Sequence, residues 1–210
     1  KISHLIYAST SSVYGDTKNF PTNEKNNTDK PLSFYSASKK TNEILAYSYS
    51  AIHQIKTTGL RFFTVYGPYG RPDMAIYKFV KLAYKNKKID LFNRGNHSRD
   101  FTYIDDVVEA VIKIILSKKK INTNYEIFNI GSGKIITLKK FIKTLEDVME
   151  IKAKKRFLPM QKGDVKDTLA LNTRIEKQYN YKVKYTLREG LSEFIKWYRS
   201  YYNKWIIFLG

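Results

Sequence analysis

Two hydrophobic periods alternate along this chain. The run HLIYAS, residues 4–9, is short and apolar and passes into a polar segment, which predicts a buried strand entering a loop. Residues 13–33 are rich in Pro, Asn, Asp and Thr and read as that loop. From Tyr35 to about His53 the period changes: Ala37, Ile44, Leu45, Tyr47, Tyr49 and Ile52 recur at helical spacing. TTGLRFFTVYG then reads as one strand, broken by GPYGRPD. Beyond it the pattern predicts a helix from about Met74 to Tyr84, a short strand at IDLF and a helix over DVVEAVIKIIL. A strand and turn follow at YEIFNIGSG, with helices over TLKKFIKTLEDVM and LREGLSEFIKWYRSYY. Strands alternating with helices place the chain in the α/β class with a mainly parallel sheet.

The 210 residues, 42% of them apolar, suffice for one domain with a small satellite. There is no cysteine, so neither a disulfide framework nor a thiolate metal site is available. That fits a reducing compartment, and a cytoplasmic location is expected. No run approaches the roughly 18 apolar residues of a membrane span, and no membrane partner is expected. The chain opens at Lys1, almost directly on a strand, which reads as the start of a fragment.

The formal net charge of +19 raises nucleic-acid binding as a possible class. Its composition argues against that class. Only 8 of the 38 basic residues are Arg, and the lysines are spread along most of the chain. Readers of nucleic acid favour Arg forks, so the charge reads as a solvated surface and no nucleic-acid partner is expected. His4, His53 and His97 are scattered without metal-ligand spacing, so each reads as a surface or hydrogen-bonded histidine and no metal is expected. The sequon at Asn26 reads as loop chemistry.

Candidate chemistry starts in YSASK. Tyr35 and Lys39 are four apart and share a helical face. An ammonium one turn from a phenol favours the phenolate, and a phenolate is a usable general base. The spacing alone is common in a chain this rich in Tyr and Lys. A second feature narrows it: the hydroxyl cluster STSS, Ser9 to Ser12, stands at the carboxyl end of the first strand, where open parallel sheets bind ligands.

With YASTSSVYG, YSASKK, LRFFTVYGPYGRPDMA and RDFTYIDDVVEA in that order, the chain resembles the extended short-chain dehydrogenase/reductases, the NAD-dependent epimerase/dehydratase family. The motifs recur over nearly all of its length, and within the family RFFTVYGPYGRPDMA looks most like the UDP-glucuronate 4-epimerases. The resemblance implies the C-terminal part of a Rossmann-like parallel sheet with helices on both faces, plus a smaller α/β substrate-binding domain. Residues 1–70 would be the remainder of the NAD-binding domain. Residues 71–210 would mainly bind the nucleotide sugar, with about 102–130 returning to the first domain. The family's G-x-x-G-x-x-G fingerprint is absent, so roughly 100 residues, about three strand–helix units, are expected before Lys1.

The resemblance also assigns roles. Tyr35 matches the catalytic base, and Lys39 matches the lysine that supports it and holds the nicotinamide ribose; Thr10 and Ser11 complete the catalytic set. Phe62 and Tyr66 match positions beside the NAD cofactor. Ser11, Ser12 and Thr64 match hydroxyls near the sugar, and Arg71, Asn93, Arg99 and Asp164 match the side facing the UDP. Many relatives acting on neutral sugars carry Asn at the position of Thr64, which favours a uronate. Oxidising a uronate at C4 makes a β-keto acid prone to lose CO2, so its carboxylate must be held by groups that do not promote that loss; neutral hydroxyls suit the task. The implied reaction is inversion at C4 of a UDP-sugar, UDP-glucuronate to UDP-galacturonate. The implied setting is polysaccharide biosynthesis in the cytoplasm, and the implied assembly is a homodimer. The alternatives are a 4-epimerase of another UDP-hexose, a dTDP-glucose 4,6-dehydratase-like enzyme, for which STSS lacks the usual carboxylates, and a non-catalytic basic binding protein. Gly131–Ser132–Gly133 is too short for a phosphate cradle and reads as a strand-to-helix loop.

Overall fold

A computed structural model describes residues 2–117, 123–161 and 163–206. The LysLysLys run at 118–120, and with it part of the expected 102–130 return, lies outside the described residues. The first strand, β1 (His4–Thr10), pairs in parallel with β2 (Lys56–Phe62), and β2 pairs in parallel with β6 (Tyr125–Ile130). The connection between β1 and β2 is α1 (Phe34–His53).

Alternation along these strands sends neighbouring residues to opposite faces of the sheet. Ser9, Arg61 and Asn129 stand side by side in register. Ser9 and Arg61 both reach Glu43 of α1, so α1 covers that face. Leu60, Phe128 and Ile130 point the other way into a cluster with Val107, Ala110 and Ile114 of α3 (Ile104–Leu116) and Ile175 and Tyr179 of α5 (Thr173–Tyr179). The expected α/β sheet with helices on both faces is therefore present. One face is oily and the other is held by polar groups.

The apolar stripe expected on α1 faces outward. Ile44, Leu45, Tyr47, Tyr49 and Ile52 are all more than half exposed, whereas Ser36, Glu43, Ala46 and Ser50 are buried. The inward line is polar because the sheet face beneath it is polar. Ser50 donates to the carbonyls of Ile55 and Asn124, which ties the end of α1 to the entry of β2 and β6.

TTGLRFFTVYG is two strands rather than one. After β2 the Phe63 N–H still donates to Ile130, and then β3 (Thr64–Tyr66) leaves to pair in parallel with β5 (Ser98–Tyr103). Phe63 is the residue at which the chain crosses from one sheet to the other. The glycine turn after β6 leads into a three-residue strand, β7 (Ile135–Thr137), antiparallel to β5, and only then into α4 (Leu138–Met149). It is a strand-to-strand turn, not a strand-to-helix loop. The short β4 (Ile89–Leu91) pairs in parallel with β8 (Lys155–Phe157).

A second core joins these elements. α2 (Ala75–Tyr84), α4 and α6 (Leu187–Ile206) pack around Tyr77, Phe79, Phe141, Leu145, Leu191 and Phe194. Burying side chains of this size contributes about 1.5–3 kcal/mol each before entropy is counted. This core supports the wall formed by β3 and β5, where the candidate site lies.

Candidate active site

The site grows from the end of β1. Thr10 caps a 3-10 turn, Ser11–Tyr14: its Oγ1 accepts from the Ser12 N–H at 3.2 Å and donates to Ser12 Oγ at 3.3 Å. The turn closes on Gly15 at φ 60°, where a Cβ would meet the Lys30 carbonyl oxygen at 2.5 Å, so only glycine fits there. Ser11 and Ser12 are thereby set at the carboxyl edge of the sheet.

α1 begins opposite them. Ser33 and Ser36 form a reciprocal capping box, each hydroxyl accepting from the other residue's backbone N–H, at 3.1 and 3.0 Å. Tyr35 lies inside this first turn and is 54% exposed. Lys39, one turn on, donates from Nζ to the Ala8 carbonyl of β1 at 3.1 Å. The ammonium is thus anchored beside the strand that carries the hydroxyl turn.

Ser11, Ser12, Ser33 and Ser36 share a cavity of about 110 Å³ with Thr64, Arg99, Asp164 and Thr168. Thr64, Arg99 and Asp164 also line a larger cavity of about 510 Å³, together with Asp73, Phe92, His97, Gln161 and the apolar side chains of α2 and α4. The three shared residues form a common wall between a hydroxyl-rich compartment and a larger, more apolar one. The volume of the second is of the size that holds small-molecule ligands.

Arg99 is the hinge of that wall. Its Nη2 donates to Asp164 Oδ1 at 2.7 Å, and its Nη1 donates to the Lys166 and Ser98 carbonyls at 2.8 and 3.0 Å. The two residues assigned separately to the nucleotide side are therefore partners of each other. Arg71 is exposed and forks onto Asp73. Its guanidinium is held above its ordinary value first by those hydrogen bonds and then by the Asp73 charge.

Other assigned residues lie elsewhere. Asn93 sits in a left-handed turn and spends its amide on the Asn96 carbonyl at 2.7 Å. Phe62 packs against the sheet core. Tyr66 is almost wholly buried, with edge-on ring contacts to Phe101, Tyr103 and Phe141, and shows only part of its ring to the larger cavity.

Two features were not evident from the sequence. His97 is not hydrogen-bonded at both nitrogens: its Nδ1 is buried without a partner, on the wall of the larger cavity. Burial, then the Arg99 charge, holds its imidazole below the ordinary value and so neutral. Asp100, beside Arg99, is wholly buried. Its carboxylate accepts five hydrogen bonds, three of them from the Ser132–Gly133 turn. The glycine turn that cannot hold a phosphate holds this carboxylate. Among the described residues no group of three or more His, Cys, Asp or Glu could hold a metal ion.

Comparison with known proteins gives the family of the chain. A protein of Methanocaldococcus jannaschii whose function is uncharacterized is 48% identical over 197 residues, covering 94% of this chain and 59% of that protein. A probable UDP-glucuronate 4-epimerase of Rhizobium meliloti is 38% identical, covering 96% of this chain and 63% of its own length. The crystal structure of UDP-glucuronic acid 4-epimerase from Bacillus cereus, in complex with UDP-glucuronic acid and NAD, superposes with a TM-score of 0.90 at 33% identity, over 96% of this chain and 63% of that one. The chain thus spans about three-fifths of the length of these relatives. Residues 1–131, from the hydroxyl turn and the Tyr35–Lys39 helix through the Arg99 strand to the glycine turn, match the NAD dependent epimerase/dehydratase family, and the chain belongs to it.

Proposed function

We propose that the full-length protein is an NAD-dependent 4-epimerase of a UDP-sugar, and that its substrate is UDP-glucuronate. The observation that carries this reading is the common wall: Thr64, Arg99 and Asp164 face hydroxyl groups on one side and a larger cavity on the other. A sugar bearing a neutral hydroxyl environment and a diphosphate needing an Arg would be seated across that wall.

The residues here fit one end of the cofactor. Lys39 is held at the sheet edge by Ala8 and Tyr35 stands exposed one turn before it, a pair suited to the nicotinamide ribose. Phe62 and Tyr66 would support that end from behind. Bound NAD would supply the chemistry of removing hydride from C4 and returning it to the opposite face.

The chain's own residues do the rest. Tyr35 takes the proton of the sugar 4-OH, directly or through Thr10, and gives it back after inversion. Lys39 offsets the negative charge on the Tyr35 oxygen. Ser11, Ser12 and Thr64 hold the uronate carboxylate with neutral donors, which limits loss of CO2 from the 4-keto acid. Arg99, oriented by Asp164, meets the diphosphate, with Arg71 at the mouth and the Phe92–Asn93 backbone near the base.

On this reading residues 1–70 complete a cofactor domain to which about 102–130 return, and the remainder of 71–210 forms the nucleotide-sugar part. The outward apolar stripe of α1 supports a homodimer, and the lack of cysteine supports a cytoplasmic enzyme of nucleotide-sugar and polysaccharide metabolism. The test is incubation of the full-length protein with NAD and UDP-glucuronate, with UDP-glucose in parallel. Formation of UDP-galacturonate supports the proposal. Conversion of UDP-glucose alone reassigns the substrate, and a 4-keto-6-deoxy product reassigns the reaction.

A further inference from the structure

The wall of the site is built partly from a segment with no helix or sheet of its own. Residues 164–172 form no regular element: they run beside Ser98 of β5, whose N–H donates to the Lys166 carbonyl at 3.1 Å and whose carbonyl accepts from the Thr168 N–H at 3.2 Å, and beside Thr22, with isolated bridges at Ser98–Asp167 and Thr22–Ala170. Yet this segment carries Asp164, which orients Arg99, and Thr168, which lines the hydroxyl compartment. A loop in such a place is held to the scaffold by individual backbone and side-chain bonds.

Asp100 adds a buried side-chain anchor at its far end. Its side chain is wholly buried in β5. Oδ2 accepts from the Ala170 N–H at 3.0 Å and the Gly133 N–H at 2.9 Å. Oδ1 accepts from the Ser132 N–H at 2.6 Å, Ser132 Oγ at 2.7 Å and Thr102 Oγ1 at 3.1 Å. Three of these five partners are backbone N–H groups, which can only donate, so the arrangement matches a carboxylate and not an acid. Its own N–H donates to Thr168 Oγ1 at 3.3 Å. The turn is shaped for the purpose. At Gly131 a Cβ would lie 2.4 Å from Ala170 Cβ and 2.8 Å from Asp100 Oδ2, and Gly133 adopts φ +67°.

Adjacent residues of one strand thus divide the work. Arg99 faces the cavity and pairs with the start of the segment, and Asp100 faces inward and ties down its end. We propose that Asp100 is a positioning residue for nucleotide binding, holding the 164–172 segment against β5 so that the Arg99–Asp164 pair is set before the diphosphate arrives. This inference rests on the proposed UDP-sugar reading. Burial pushes the Asp100 carboxyl above its ordinary value while the Ser132, Ala170 and Gly133 donors pull it back, a balance that the removal of any one donor disturbs.

The test uses the full-length protein and the variants Asp100→Asn, Ser132→Ala and Thr102→Val, the last two removing one donor each away from the cavities. UDP binding is measured by calorimetry, and KM and kcat are measured with the UDP-sugar that the wild type turns over. Loss of a hydrogen bond to a charged group corresponds to about tenfold to a hundredfold in an equilibrium constant, of which a part reaches the ligand when the bond acts through the segment. The expected result is a rise of about threefold to tenfold in UDP Kd and in KM for Ser132→Ala and Thr102→Val, more for Asp100→Asn, with kcat at saturation within about twofold for the two donor variants. A purely structural role would lower the active fraction, and hence kcat, with Kd and KM unchanged. That result, or Kd values equal to wild type in all three, overturns the proposal, as does failure of all three variants to fold. If the wild type itself binds no UDP, it is the UDP-sugar reading that fails.

Discussion

Glu43 and Arg61 clasp each other between α1 and β2, both Nε and Nη2 of the guanidinium donating to the carboxylate at 2.8 Å, with both side chains at most 3% exposed. Ser9 donates to the same carboxylate at 2.6 Å, and the remaining Arg61 nitrogen reaches the Tyr14 hydroxyl at 3.0 Å. Glu43 lies one turn beyond Lys39 and two beyond Tyr35, so this pair sets the height and rotation of the helix that carries them. Removing one partner of a buried pair leaves an uncompensated charge and costs about 3–5 kcal/mol. Glu43→Ala is expected to lower the denaturant midpoint of the full-length protein by a corresponding amount, read from urea unfolding curves. Glu43→Gln is expected to lower it less, because one oxygen remains.

Tyr35→Phe removes only the hydroxyl from an exposed side chain. Turnover is expected to fall by the range typical of general acid–base groups, about 10²–10⁴-fold, while UDP-sugar binding changes by less than about threefold. Steady-state kinetics with calorimetric titration of UDP separate the two effects.

His97 gives the fold a dependence on pH. Burial, then Arg99, lowers its folded-state value below the ordinary 6.5, with Asp164 and Asp167 acting the other way. The unfolded chain therefore binds a proton that the folded chain does not, in the window from 6.5 downward. Its contribution to stability is present above that window and is lost as pH falls through it. His4, also lowered by burial and by Lys56, acts in the same direction. Thermal unfolding is expected to move to lower temperature between about pH 8 and about pH 5.5, and by less in His97→Gln than in the wild type.

The outward stripe of α1 makes a further prediction. Ile44 and Ile52 are exposed, so Ile44→Glu with Ile52→Glu is expected to leave the monomer's stability nearly unchanged, within about 0.5 kcal/mol per site. The same pair is expected to shift the sedimenting species from dimer to monomer. A wild type that sediments as a monomer would remove the homodimer from the account.

Much of this was legible in the sequence where one residue type does one job. Tyr35 and Lys39 share a face in any helix, and STSS had to stand at a strand end. What was not legible depends on partners distant in the chain. The periodicity of α1 marked a stripe and left its direction open between a dimer face and the core; it faces outward because Ser9, Arg61 and Asn129 make the sheet beneath it polar. LRFFTVY is continuous in hydrophobicity, and its division into β2 and β3 is decided by pairing with β6 and then β5. Asp100 carried no signal of its role because four of the five groups that donate to it lie at Ser132, Gly133 and Ala170, more than thirty residues away.

In the proposed reaction Tyr35 moves one proton while the hydrogen on C4 leaves and returns within the same site. This is tested most directly with UDP-glucuronate carrying deuterium at C4, full-length protein and NAD, the products being read by mass spectrometry and NMR. The account predicts UDP-galacturonate with the deuterium retained at C4, and no such product from Tyr35→Phe. Loss of the label to solvent, or a decarboxylated UDP-pentose as the main product, would contradict it.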